Sequence, residues 1–176
     1  RFVMPCWLNQ VGQGIARRAA LGFGMQVVYH NRTPLAPTVE AQCRARYASK
    51  TALLQCADHV VLALPYTAQS HHTVGADEFA LMKPTATLVN IARGGVVDDA
   101  ALVVALRDGR IAAAGLDVFE GEPHIHPGLL ALPNVVLTPH IASATTGTRR
   151  AMTLLAADNL IAFWTLGRAR TPVVAD

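Results

Sequence analysis

The stretch Val89-Asn90-Ile91-Ala92-Arg93-Gly94-Gly95-Val96-Val97-Asp98 constrains this 176-residue chain more than any other. It sets an arginine at the carboxyl end of an apolar strand, on a loop of two glycines, just before a helix that Asp98 can cap. Glu122 and His140 follow at later strand ends, so the order of the chain calls for a cation, a carboxylate and an imidazole along one sheet edge. That trio suits reduction of a carbonyl: a guanidinium grips a carboxylate in bidentate fashion, and an imidazolium returns a proton. A carboxylate on the other ring nitrogen fixes the tautomer and holds the imidazole protonated. Glu120 and Glu122 both compete for that role.

Short apolar runs alternate with helical ones. Residues 25–30, 59–64, 86–91, 112–118 and 135–137 read as strands, most of them apolar on both faces, as strands covered by helices on each side must be. Residues 10–22, about 38–45, 50–56, 76–82 and 98–109 read as helices, with Ser49 and Asp98 as caps and Gly22, Gly24 and Asp108-Gly109 as stops. The expected fold is α/β: a Rossmann-type, doubly wound parallel sheet over residues 1–144, with 1–9 atypical. The Pro-punctuated stretch 120–134 reads as a long functional loop. Residues 145–166 read as one helix with apolar side chains around most of its circumference, so it is expected to need a packing partner that the chain lacks.

Composition narrows the function. With 52% hydrophobic residues, 15% charged residues and a net charge of +3, the chain is neither disordered nor shaped for nucleic acid. Three cysteines without CxxC spacing read as reduced thiols of a cytoplasmic protein, and no apolar run is long enough to span a membrane. His71-His72 are adjacent and expected to face different directions; His124 and His126 form an HxH without a third ligand, so no metal site is expected.

A doubly wound sheet invites a dinucleotide at its first turn, where GxGxxG precedes a helix. Here Trp7 and Asn9 stand where the first two glycines would be, and Gly12 alone remains. Either the pyrophosphate loop is natively divergent or residues 1–9 are distorted by a sequence boundary. At the end of the second strand, Asn31-Arg32 offers a donor and a cation where an acid would bind a ribose hydroxyl, which suits a 2′-phosphate and so NADP over NAD. Asp117, ending its strand, suits the nicotinamide carboxamide.

The motifs LGFGMQVVYHNR, VVLALPYT, KPTATLVNIARGGVVDDAAL, AAAGLDVFEGEP and NVVLTPHIASAT resemble those of the D-isomer-specific 2-hydroxyacid dehydrogenases over about residues 10–174. The branch they are most similar to reduces glyoxylate, hydroxypyruvate or 2-ketogluconate. The resemblance implies an NAD(P)-dependent oxidoreductase acting on a small 2-keto acid, with Arg93, Glu122 and His140 catalytic, and it selects Glu122 over Glu120 by its place before proline. It further implies cofactor contacts at Asn31, Arg32, Leu64, Pro65, Ile91, Ala92, Arg93 and Asp117, a return of residues 145–176 to a substrate domain that the chain lacks, a homodimer, and little turnover by the isolated chain. A non-catalytic dinucleotide-binding interaction module and an inactive truncated fragment are the alternatives.

Overall fold

In the computed structural model, residues 9–172 are described. The chain forms two compact units, one up to Pro139 and one from His140 onward. The first is built of strand–helix alternation. Helix α1 (Gln10–Arg17) continues through a wider π-helical turn at Arg18–Gly22, and Gly24 turns the chain with φ of 65° into β1 (Val27–Tyr29). There follow α2 (Pro37–Cys43), β2 (Ala45–Tyr47), α3 (Lys50–Cys56), β3 (His59–Leu62), α4 (Ala76–Leu81) and β4 (Thr87–Asn90). The unit closes with α5 (Asp99–Arg107), β5 (Ala113–Leu116), α6 (Pro127–Leu130) and β6 (Val135–Leu137).

Among the described residues the strands form two ladders, β1–β2 and β3–β4–β5–β6, every pair parallel. The parallel α/β fold expected from the alternation is the fold observed. The caps fall where the side chains allow: Ser49 Oγ accepts from Ala52 N at 3.2 Å, and Asp98 Oδ1 from Ala101 N at 2.9 Å. The larger core gathers Leu53, Val60, Leu62, Phe79, Leu88, Leu102 and Ile111 between the four-stranded ladder and its helices. A smaller cluster joins Ala16, Val27, Tyr29 and Cys43 around α1, β1 and α2.

Two local readings need correction. The helix expected over about 38–45 stops at Cys43, because Arg44 takes a left-handed cap (φ 47°), and Ala45 begins β2 instead. Ala45-Arg46-Tyr47 alternates over only three residues, too short a run to mark a strand; it is a strand because it pairs in register with β1, Val27 opposite Ala45. Likewise the expected loop 120–134 contains α6, which starts on Pro127 with the ring nitrogen of His126 accepting from Gly128 N at 3.1 Å.

The second unit consists mainly of α7 (Thr146–Leu166), capped by Thr145 at its start and by a left-handed Gly167 at its end. Met152, Leu160, Phe163 and Trp164 lie exposed along it, Trp164 at 81%. Among the described residues no helix is long and apolar enough to cross a membrane.

Candidate active site

The carboxyl ends of parallel strands are where ligands gather in such folds. In the first unit a cleft of about 960 Å³ opens there, lined by Ala63–Tyr66 after β3, Ile91–Arg93 and Gly95 after β4, and Glu120 and Gly121 after β5. Asn9 and Val11 close it from the start of α1. Of the residues singled out from sequence, Leu64, Pro65, Ile91, Ala92 and Arg93 line this cleft; Gly12, Asn31, Arg32, Asp117 and Glu122 lie outside its lining.

Asn90 explains how Arg93 is presented. Its side chain is buried; Oδ1 accepts from Ala92 N at 3.0 Å and Nδ2 donates to Arg93 O at 3.1 Å, so one amide locks the turn that follows β4. The Arg93 guanidinium is exposed and donates from Nη1 to Ala92 O at 2.7 Å, with no carboxylate among the described residues within ion-pair range. A short 3₁₀ turn, Gly94–Val96, then leads to Asp98 and α5.

The loop after β5 meets this turn. Asp117 is buried, its backbone N–H donating to Asn90 O at 3.0 Å and its Oδ1 accepting from Thr138 Oγ1 at 2.6 Å. Phe119 N donates to Glu122 Oε1 at 3.0 Å, ahead of a cis bond between Glu122 and Pro123. Glu120 N donates to Asp99 Oδ2 at 3.0 Å. Asp99 is itself buried, and that burial pushes its carboxyl up to about 6. Glu120 Oε1 lies 2.9 Å from His72 Nε2, a pairing the sequence did not announce.

The histidine pair also departs from expectation. His71 and His72 stack, ring centroids 3.8 Å apart, because a positive φ of 47° at His72 folds the backbone and brings neighbouring side chains to one side. In the second unit, His140 likewise holds a positive φ of 54°, an uncommon conformation for a residue with a Cβ and one that concentrates at functional positions.

At the first turn, Asn9 caps α1: its Oδ1 accepts from Gly12 N at 2.9 Å while Nδ2 donates to Ala63 O at 2.6 Å. An amide that a phosphate would use is thus taken by a side chain. Trp7 lies outside the described residues.

Residues 8–142 match the D-isomer specific 2-hydroxyacid dehydrogenases over their NAD binding domain. The chain belongs to this family. Among curated relatives, it is 54% identical over 155 residues to a glyoxylate reductase of Thermococcus onnurineus, an alignment covering 88% of this chain and 46% of that protein. It is 49% identical over 156 residues to the glyoxylate/hydroxypyruvate reductase B of Escherichia fergusonii, covering 88% of this chain and 48% of the relative. The chain therefore spans about half the length of these curated relatives. Among solved structures, the NADPH-dependent glyoxylate/hydroxypyruvate reductase of Sinorhizobium meliloti, in complex with NADP and malonate, superposes with a TM-score of 0.91 at 42% identity, covering 99% of this chain and 53% of that one. A D-lactate dehydrogenase of Lactobacillus jensenii with NAD⁺ gives 0.88 at 30% identity, covering 99% of this chain and 56% of that one.

Proposed function

We propose that this chain is the nucleotide-binding part of an NADPH-using reductase that converts a small 2-keto acid, glyoxylate or hydroxypyruvate first, to its 2-hydroxy acid. The observation that carries this reading is Arg93, presented at a cleft of dinucleotide size by a turn that Asn90 locks. The residues fit a dinucleotide: the lining is mostly apolar, it lies beyond the strand ends, and one cation stands in it without a carboxylate partner among the described residues. Asn9 is the departure, since its side chain occupies the Gly12 amide.

Leu64, Pro65, Ile91 and Ala92 hold the apolar parts of the dinucleotide, Gly12 lets α1 approach, and Asn31-Arg32 takes the 2′-phosphate. When bound, the reduced nicotinamide supplies the hydride equivalent. Asp117 orients the carboxamide of that ring. Arg93 grips the substrate carboxylate, which sets the neighbouring keto carbon in place, and His140 gives its proton to the keto oxygen. Glu122 steadies the other ring nitrogen of His140; Glu120 is committed to His72, which favours Glu122 for this task. Residues 145–176 belong with the substrate domain in this reading, and the whole protein works as a cytoplasmic homodimer.

The test is a steady-state assay of the full-length protein carrying this chain, with glyoxylate, hydroxypyruvate and 2-ketogluconate against NADPH and NADH. Turnover with at least one of the first two and a preference for NADPH are expected. Arg32→Ala should cost about tenfold or more in NADPH affinity and leave NADH unchanged, since a charge-assisted bond contributes about 1.5–3 kcal/mol. NADPH binding without turnover of any 2-keto acid would instead favour a non-catalytic module.

A further inference from the structure

The rim of the cleft carries a group of side chains that the proposed reaction does not use. His71, His72 and Glu120 each present one donor atom, and the three atoms lie within 4.8 Å of one another. Three separate parts of the chain hold them. His72 N donates to Gly95 O at 2.8 Å, Glu120 N donates to Asp99 Oδ2 at 3.0 Å, and Tyr66 Oη lies 3.1 Å from His71 Nδ1. The last contact orients the His71 ring, as an outer partner does for a metal-bound histidine.

We propose that His71, His72 and Glu120 form a binding site for a divalent transition ion of the zinc class. Two imidazoles and one carboxylate are the donor set of Zn²⁺, Co²⁺, Ni²⁺ and Cu²⁺, whereas Ca²⁺ and Mg²⁺ take oxygen almost alone. Donors about 2.1 Å from an ion stand roughly 3.0 Å apart at a right angle and roughly 3.4 Å apart at a tetrahedral one. His72 Nε2 and Glu120 Oε1 are now joined by a 2.9 Å hydrogen bond, which an ion would replace at a separation close to the right-angle one. His72 and Glu120 side chains are 35% and 40% exposed, so an ion enters from solvent and keeps open positions for water. Glu120 also lines the cleft with Arg93 and Gly95, so the ion adds positive charge at its mouth.

The proposal is independent of the reductase reading, and its test needs no turnover. Protein stripped of metal is titrated with Co²⁺, followed by visible absorption, and with Zn²⁺, followed by calorimetry, in a buffer that does not chelate. One saturable equivalent is expected, with Zn²⁺ displacing Co²⁺. His72→Asn, which keeps a residue tolerant of left-handed backbone, should abolish it; His71→Ala and Glu120→Gln should each weaken it at least tenfold. Tyr66→Phe should weaken it by about tenfold through His71. The pair His124→Ala/His126→Ala should leave it unchanged. Circular dichroism without metal checks that each variant folds, and His71→Ala, whose side chain is exposed, decides if His72→Asn does not. Absence of a saturable equivalent in the wild type overturns the proposal. So does binding that survives the three ligand substitutions or disappears with the His124/His126 pair.

Discussion

Gly94 and Phe119 pack backbone to backbone: a methyl group on Gly94 would sit 1.8 Å from the Phe119 carbonyl oxygen and 2.5 Å from Glu120 N. No side chain can be accommodated there without moving one loop off the other. The turn that presents Arg93 and the segment that carries Glu120 and Glu122 are therefore held against each other by the lack of a Cβ. Gly94→Ala should destabilise the first unit by about 3 kcal/mol or more, since a backbone atom is less able to give than a side chain. Urea denaturation measures this, and a loss below about 0.5 kcal/mol would mean that the two loops can part freely.

Asp99 gives the unit a pH dependence of known sign. Its carboxyl, buried in the first turn of α5, takes up a proton at about 6 in the folded chain, against 3.8 when unfolded. Between those values the native state binds the extra proton, so this group's contribution to stability falls as pH rises from about 4 to about 6 and is constant above. Asp99→Asn keeps an acceptor for Glu120 N and removes the buried charge. The variant should gain roughly 1–3 kcal/mol at pH 8 and little at pH 4. Paired denaturation curves at the two pH values check it; equal effects at both would show that Asp99 does not titrate in this range.

Arg93→Gln should lower kcat/KM of the full-length protein for a 2-keto acid by about a hundredfold or more, because an amide cannot supply the paired, charged contact. Its side chain is exposed, so the thermal midpoint should stay close to that of the wild type. A variant that retains wild-type kcat/KM would remove Arg93 from the chemistry.

Asn9 offers a gain rather than a loss. Its side chain holds Gly12 N and Ala63 O, where a glycine would leave the amide and the space to a phosphate. Asn9→Gly should bind NADPH several-fold more tightly while costing a few tenths of a kcal/mol in helix capping. Fluorescence titration reads the affinity. Weaker binding in the variant would show instead that Asn9 itself contacts the dinucleotide.

The order of elements was legible because its signals are local. Ser49 and Asp98 cap helices within three residues of themselves, and apolar runs mark the strands wherever they enter the core. β2 was not legible, since Ala45–Tyr47 is a strand only by pairing with β1. Of the candidate site, Arg93 and its apolar neighbours Leu64, Pro65, Ile91 and Ala92 could be read from the strand-end loops that carry them. Tyr66 is not singled out by the sequence, and Glu120 reads there only as a rival to Glu122, because its contacts with Asp99 and His72 come from other loops.

The sequence by itself settled the parallel α/β architecture, the caps and the arginine after β4, all of which depend on side chains a few positions apart. Tertiary structure decided that Gly94 touches Phe119, that Asp99 is buried beside Glu120, and that His72 reaches Glu120 across 48 residues of chain. Such contacts leave no periodic trace in the chain. They arise where strand ends from distant segments are brought side by side by a shared hydrogen-bonded ladder.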